Sequence, residues 1–459
     1  MEKVVLKDLV KATKGKFIFG NPNQPIKSIS TDSRRICKGD IFFALKGKRY
    51  DAHQFVKRAI EEGASGVVVT RIDDEINSFF PNLPAIVLVR DTIKALGDFA
   101  GYYRSLFSPK VIGVTGSNGK TTTKEMIFSI LKNCGETLAN FGSYNNFIGL
   151  PITIFNLESK HKFCVFELGI SLKEEMDRLI EISRPEIGVI TNIGKTHLEF
   201  LETKEDVFEE KIKLINSLPD DGIAVLNRDD PMLLSAIGKV KSKVVTFGMS
   251  SSSDVYARNI NVTENSTSFD LCFHNKEKIE VHLPLIGRFN VENALAASAV
   301  CYSMNISPEI IKKSLENFIP PSMRMEKIKN PFGAVIINDA YNANPDSMRQ
   351  SISSFIKTYK DKKKILVLGD MLELGEHSQE EHISLGEFLS DLPVEEIYLF
   401  GNEIKIIKEK LKLENSSSFD NPVEIVAKLR NKLNEEYAVL FKASRAIGLE
   451  KIILELINY

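Results

Sequence analysis

VIGVTGSNGKTTT, residues 111–123, decides how this chain is to be read. Val111, Ile112 and Val114 suit a strand, Gly116 to Gly119 a turn, and Lys120 with three threonines the opening of a helix. Strand, turn and helix in that order suit a polyphosphate. The N–H groups of the turn and of a helix N-terminus point at the anion, and Lys120 adds a charge near the outer phosphates. Thr121 can offer a hydroxyl to a magnesium ion bridging those phosphates. The strict spacing G-x-x-x-x-G-K-[ST] requires glycine at 114, where this chain has Val114. The loop is therefore a variant, T-G-S-N-G-K-T, turning on Gly116 and Gly119. An ordinary glycine-containing turn is the competing reading, and the rest of the chain decides by whether it supplies what a phosphate loop lacks.

A chain of 459 residues is too long for one typical domain, so two or three are expected. Its 43% hydrophobic and 26% charged residues are those of a soluble globular protein. With 60 basic and 61 acidic residues the net charge is −1, which argues against nucleic-acid binding and attraction to a membrane surface. Cys37, Cys134, Cys164, Cys272 and Cys301 are scattered, odd in number and form no C-x-x-C, so they read as reduced, mostly buried thiols, and no zinc site is visible. The N-terminal MEKVVLKDLVKATKGKF lacks the apolar core of a signal peptide, and no apolar run approaches the roughly 18 residues of a membrane span. A cytoplasmic location without membrane insertion follows, and a monomer is the expectation.

The pattern outward from the loop is α/β. Residues 1–108 read as a small α/β unit, with a helix at Leu6–Ala12, strands at Ile41–Leu45 and Gly66–Val69, and a helix at Phe55–Glu62. Two polar clusters lie in it, Thr31-Asp32-Ser33-Arg34 after Ser30, and Gly47 through Asp51 to His53. Each is either a surface turn or a loop holding a polar, charged small molecule. Residues 109–322 alternate strands (Val111–Thr115, Phe163–Leu168, Ile187–Asn192, Ile223–Asn227, Lys243–Phe247) with helices such as Lys124–Asn133, Glu174–Ile182 and Lys204–Asn216. This argues a parallel sheet covered on both faces, with ligands beyond the carboxyl ends of its strands. The phosphate loop, Glu167 and the segment Asn192–His197 all leave such ends. Residues 323–459 read as a Rossmann-like sheet with strands at Ala334–Asn338, Lys364–Leu368, Glu396–Phe400 and Tyr437–Phe441, and Pro320-Pro321 marks the boundary.

Thr121, Glu167 and His197 form a ligand set that magnesium accepts when phosphate oxygens and waters complete its shell. The alternatives are an edge-of-sheet carboxylate and a capping or core histidine. NDAYNANPDSM, residues 338–348, puts Asp339 at a strand end, where a ribose hydroxyl or a basic group could bind, with Tyr341 and Asn342 beside it. Asn344 reads as a cap and Pro345 as the first residue of a helix. In GRFNVENALAA, residues 287–297, capping would account for Asn290, whereas Asn293 sits inside an alanine-rich helix, where a polar contact explains it better. GDMLELGEHSQEEH, residues 369–382, leaves another strand end, or is only a loop leading into a charged helix.

These pieces, in this order and over the whole chain, resemble the Mur ligase family of ATP-dependent amide-bond synthetases. T-G-S-N-G-K-T-T, the asparagine-rich YNNFIGLP, ELG, NIG-x-x-H-L-E, the G-x-x-N-x-x-N-A helix and the arginine of PSMRME carry the likeness. DAYNANPDSM and GDMLELGEHSQEEH look most like the branch that adds D-alanyl-D-alanine to UDP-N-acetylmuramoyl-tripeptide. The chain lacks the Asp-Asn-Pro-Arg of the branch that adds the third residue. Another amide ligase of the family with a different amino-acid or dipeptide acceptor is the alternative; a nucleotide-binding regulator that lost ligation is a third reading, against which the intact Lys120, Thr121, Glu167, His197 and Lys211 argue.

The resemblance implies three domains: an N-terminal UDP-sugar-binding domain (1–108), a central ATP-binding domain (109–322) and a C-terminal Rossmann-like domain that takes the acceptor (323–459). Gly116, Ser117, Asn118, Gly119, Lys120, Thr121 and Thr122 would hold the ATP phosphates. Thr121 and Glu167 would bind one magnesium and His197 a second, with Lys211 as a carbamate; unmodified, Lys211 reads as a surface helix lysine. Asn293, Arg324 and Asp339 would contact base, phosphate and ribose. Thr31, Asp32, Ser33, Arg34, Gly47, Asp51 and His53 would hold the UDP sugar, Asn145 and Asn146 would lie near the sugar or peptide, and Tyr341 and Asn342 complete the substrate-binding set. The sequence departs from the family pattern at Ser143, at Lys195-Thr196 before His197, at Asn338 and Ala340, and at Ile212-Lys213.

Overall fold

The computed structural model describes residues 1–2, 4–47, 50–72, 84–274 and 278–457, so Lys48 and Arg49 of the 47–53 loop lie outside the described residues. The architecture is α/β, built on three sheets as expected. By its internal contacts the chain divides into two compact units. The first is Met1–Gly113, Cys134–Ile170 and Glu174–Ile187; the second is Val114–Asn133, Ser171–Lys173 and Gly188–Tyr459.

In the first unit, β1 (Lys16–Phe19), β2 (Ser28–Ser30), β3 (Asp40–Phe43), β4 (Gly66–Val69) and β5 (Ala85–Leu88) form a five-stranded sheet in the order β1-β5-β4-β3-β2. All neighbours run parallel except β1 on β5. FF at 42–43 and VVV at 67–69 are buried on both faces, as the β-branched and aromatic content of a covered parallel strand requires. The first residues of β6 (Lys110–Thr115) belong to this unit, with β8 (Phe163–Glu167) beside them and β7 (Thr137–Ala139) parallel to β8.

In the second unit, the order runs from the end of β6 through β9 (Ile187–Ile190), β10 (Ile223–Asn227), β11 (Lys243–Gly248), β12 (Val255–Val262) and β13 (Thr267–Phe273) to β14 (Lys278–Leu283). β10, β11 and β12 are parallel; β12, β13 and β14 are an antiparallel meander that the alternation of strands and helices did not announce. A six-stranded sheet follows, β15 (Glu326–Ile328), β16 (Val335–Asn338), β17 (Lys363–Gly369), β18 (Glu396–Phe400), β19 (Ser416–Phe419) and β20 (Tyr437–Lys442), ordered β15-β16-β20-β17-β18-β19. Apart from the antiparallel β15 it is parallel, with apolar clusters on its two faces.

Local chemistry sets the element ends. Asn344 caps the helix Pro345–Thr358 by accepting from Ser347 N–H, while Ser347 Oγ accepts from Asn344 N–H, so the expected cap and Pro start both form. The helix after the phosphate loop begins at Lys120, four residues before Lys124, because the threonine run is already helical. Pro320 and Pro321 lie between the helix Pro308–Glu316 and β15, in no element.

Candidate functional site

The phosphate loop rests on the segment after β9. Ser117 N–H donates to Asn192 O (2.9 Å) and Asn118 N–H to Asn192 Oδ1 (2.9 Å), while Thr191 Oγ1 donates to Asn118 O (2.6 Å). Gly194 N–H donates to Ser117 Oγ at 2.8 Å. Two glycines are obligatory. Gly116 has φ of +142° and a Cβ there would collide with Thr191 Oγ1; Gly119 has φ of +79° and a Cβ would collide with Asn293 Oδ1. Lys120 folds its ammonium back onto Gly116 O (2.8 Å) and Ser117 O (3.1 Å), capping the loop at its mouth.

One cleft of the second unit is lined by Ser117–Thr122, Asn293, Arg324, Tyr341, Asn342 and Asp339, so most of the expected nucleotide-binding residues share a cavity. Arg324 stacks over the Tyr341 ring (4.3 Å to the centroid) and donates to Thr121 Oγ1 (2.9 Å). Asn293 accepts from Thr123 Oγ1 (3.3 Å) and donates to Asn290 Oδ1 (3.2 Å). Asn290 does not cap. It is the third residue of the helix Arg288–Ser303, whose cap is Gly287, and its amide donates back to Ile286 O. Asp339, beyond the end of β16, is buried and receives Met325 N–H, Ser351 O–H and the ammonium of Lys442. Across the cleft wall Asn344 Nδ2 donates to Asn118 Oδ1 at 2.7 Å.

His197 and Lys211 lie elsewhere in the same unit. His197, at φ of +57°, places Nδ1 2.7 Å from Glu373 Oε2. A carboxylate only accepts, so Nδ1 carries the proton and Nε2 keeps its lone pair. Burial pushes the imidazole pKa below its ordinary value and the charges of Lys120 and Lys211 act in the same direction, against the bond to Glu373. The hydrogen bond from His197 in turn holds the Glu373 carboxyl below the usual range. A neutral imidazole with a free Nε2 is the form that can ligate a metal. Lys211 is no surface lysine: it is 1% exposed, on the inner face of the helix Lys204–Asn216.

The other expected residues are in the first unit, each considered there. Glu167, at the end of β8, is 2% exposed; Asn145 Nδ2 donates to its Oε1 (2.7 Å), and its buried Oε2 has no hydrogen-bond partner among the described residues. Asn140 clamps the backbone of Glu167 from both sides, accepting its N–H and donating to its O. Asn146 accepts from Ile148 and Gly149 N–H at the start of the helix Gly149–Ile154. Asp32 caps the turn Ser33–Arg35 and takes a two-point bond from Arg34, which holds its carboxyl pKa down at about 2. Thr31 precedes that turn. Gly47 N–H closes onto Tyr50 O, and Asp51 binds His53 Nδ1 (2.6 Å) and Arg71 (3.0 Å). His53 Nε2 accepts from Thr70 N–H (2.9 Å), so this buried ring spends one nitrogen on its own loop and the other on the residue after β4.

Asn140, Glu373 and Lys442 escaped the sequence reading. Lys442 had a legible signal, a charge closing the apolar strand YAVLFK. Taken unit by unit, the donors are ones magnesium accepts: in the first, a buried Glu167 oxygen with no partner among the described residues; in the second, the His197 imidazole with Nδ1 held by Glu373, and the Thr121 hydroxyl. Among the described residues no three His, Cys, Asp or Glu side chains form a metal-holding group.

Three family models cover the chain: "Mur ligase family, catalytic domain" over residues 25–104, "Mur ligase middle domain" over 114–301 and "Mur ligase, glutamate ligase domain" over 323–445. The chain is 34% identical to the UDP-N-acetylmuramoyl-tripeptide--D-alanyl-D-alanine ligase of Bacillus subtilis, over 100% of this chain and 99% of the relative. It is 32% identical to the ligase of the same name from Escherichia coli, over 93% of each. The crystal structure I of MurF from Acinetobacter baumannii superposes with a TM-score of 0.91 at 33% identity, covering both chains fully. MurF ligase from Thermotoga maritima in complex with ADP superposes at 0.84 with 30% identity, over 94% of this chain and 97% of that one.

Proposed function

The chain belongs to the Mur ligase family, and from that membership we propose that it joins D-alanyl-D-alanine to UDP-N-acetylmuramoyl-tripeptide with ATP, in the cytoplasmic stage of peptidoglycan synthesis. The full-length likeness to ligases bearing that name carries the reading. The cleft bounded by the phosphate loop, Arg324 and Asp339 supports it from the chemistry. Domain boundaries near residues 108 and 322 go with it.

The turn N–H groups and the start of the helix Lys120–Leu131 cradle the ATP phosphates, and Lys120 releases its two carbonyl partners to meet the γ-phosphoryl group. Asn293 faces the base. Asp339 holds the ribose: a carboxylate has about four acceptor sites, and three protein donors leave one for a sugar hydroxyl. Arg324, preset by Tyr341, reaches a phosphate. Thr121, Glu167, His197 and Lys211 as a carbamate are the residues assigned to hold magnesium, in two ions. When bound, magnesium supplies charge neutralisation at the phosphoryl oxygens and orients them for in-line transfer. Glu167 earns its place by the unpartnered oxygen in its own unit.

The tripeptide carboxylate oxygen attacks the γ-phosphorus, the bond to the β-phosphate oxygen breaks, and ADP leaves an acyl phosphate. The dipeptide amine then adds to the acyl carbon, loses a proton, and the tetrahedral intermediate expels phosphate as the amide forms. Positioning and charge neutralisation supply most of the rate. Closing the last domain over the central one would keep water from the acyl phosphate. Thr31–Arg34 with Gly47, Asp51 and His53 shape the UDP-sugar site. Since both ring nitrogens of His53 are taken, by Asp51 and by Thr70, it positions Asp51 rather than touching substrate. Asn145 and Asn146 stand near the sugar or peptide, and Tyr341 and Asn342 near the nucleotide.

Incubating the protein with ATP, magnesium, UDP-N-acetylmuramoyl-tripeptide carrying lysine or diaminopimelate, and isotopically labelled D-alanyl-D-alanine tests the reading. The label must appear in a UDP-N-acetylmuramoyl-pentapeptide by mass spectrometry. Its absence with both tripeptides, under conditions that consume ATP, rejects this acceptor.

A further inference from the structure

We propose that Glu373 is a positioning residue for His197, so that docking of the six-stranded module sets the imidazole for its metal. The inference rests on the reading of His197 as a metal ligand. It assigns a purpose to GDMLELG, residues 369–375, which the phosphate chemistry leaves unused.

The two segments are separated by 176 positions in sequence and meet at three successive points. Glu373 Oε2 lies 2.7 Å from His197 Nδ1. Two residues on, Glu199 N–H donates to Glu373 O (3.1 Å). Leu198, between the two, is buried in the core of the six-stranded module with Met371 and Leu374. Gly375 closes against Glu199, where an added Cβ would stand 2.9 Å from Glu199 Cα.

The backbone at these contacts is held in an uncommon state. His197 and Glu373 have φ of +57° and +63°, a region non-glycine residues seldom adopt. Such conformations cost about 1–3 kcal/mol each and persist where surrounding structure over-determines them. Here two such residues face each other across one hydrogen bond, with an apolar plug between them. A carboxylate on Nδ1 fixes the tautomer and ring plane and leaves Nε2 for the ion, the usual outer partner of a ligating histidine. The carboxylate and the apolar pocket around Leu198 come from the module that follows residue 323, while His197 and Leu198 follow β9 of the preceding sheet. Metal affinity and docking of that module are therefore linked, and by reciprocity each strengthens the other.

Mn2+ titration of the full-length protein with ADP present, followed by electron paramagnetic resonance of the free ion, tests this. Glu373→Ala should weaken Mn2+ binding about 10- to 100-fold. Glu373→Gln, whose amide oxygen still accepts from Nδ1, should recover part of that loss, and it decides the matter alone should the alanine variant not fold. His197→Ala is the control. If His197→Ala loses affinity while both Glu373 variants bind Mn2+ like wild type, the positioning role is overturned and the ligand assignment stands. If His197→Ala also binds like wild type, the ligand assignment fails and the positioning role fails with it.

Discussion

Lys442→Met tests whether the nucleotide cleft is preset by a buried ion pair. Lys442 Nζ lies 2.7 Å from Asp339 Oδ2 and 3.1 Å from Asn342 O, with side chains only 3% and 12% exposed in the pair. Removing one member strands the other charge in a poorly solvated site, which typically costs about 3–5 kcal/mol. Met325 N–H and Ser351 O–H remain on Asp339 and offset part of this, so the lower end, about 3 kcal/mol, applies. For a module of this size the loss lowers the melting temperature by roughly 3 °C per kcal/mol, near 10 °C in all. ADP affinity should fall at least tenfold, because Asn342 loses its anchor and Asp339 its orientation. Calorimetric melting with and without ADP, and titration of ADP, give both numbers. The double variant Asp339→Asn with Lys442→Met should melt above Lys442→Met alone, since no charge is then left unpaired. A Lys442→Met protein within 2 °C of wild type and binding ADP normally would refute the reasoning.

Four further outcomes follow from the geometry. Gly116→Ala should fold yet lose most ATP binding, because the new methyl must push Thr191 and its contact with Asn118 aside; isothermal titration checks this, and wild-type affinity contradicts it. Lys211→Ala should abolish ligation, and small carboxylates added to the assay should restore part of it if the lysine works as a carbamate; wild-type activity rules that role out. Burial, with the charge of Asp229 acting the same way, pushes the Glu292 carboxyl up to about 7 from 4.5. The folded state then holds a proton that the unfolded chain releases, so stability falls as pH rises from 4.5 to 7 and stays lower above it. Glu292→Gln should accordingly raise the melting temperature at pH 8 but not at pH 4, and equal shifts at both would contradict the cause. Burial likewise pushes the Cys164 thiol up to about 12, while Cys37 is exposed. Alkylation of the native protein at pH 8, mapped by mass spectrometry, should mark Cys37 and spare Cys164.

Local rules carried the sequence reading where one element makes the feature. The phosphate loop is legible because strand, glycine turn and helix start are contiguous, and the cap at Asn344 because its partner is three residues away. The burial of Lys211 was missed, for unmodified it read as a surface helix lysine. The signal was its spacing: Val207, Lys211, Leu214 and Ile215 share the inward stripe of one helix. The meander β12–β14 was missed because β12 is half-exposed and its apolar residues do not mark a covered strand. β19, Ser416–Phe419, is three serines and a phenylalanine, and only its place at the edge of a sheet makes it a strand. The partners Glu373 for His197 and Lys442 for Asp339 are 176 and 103 positions away, and no local pattern reports such a meeting. Asn140 escaped for a different reason: its work is done on the backbone of Glu167, which leaves no mark on spacing.

Phosphate release from ATP, measured with UDP-N-acetylmuramoyl-tripeptide in the presence and absence of D-alanyl-D-alanine, tests the central claim most directly. Sustained release is predicted only when ATP, the tripeptide and the dipeptide are all present, and it should vanish in Lys120→Ala without loss of the fold. Release that proceeds equally without the dipeptide, or that survives Lys120→Ala, would contradict it.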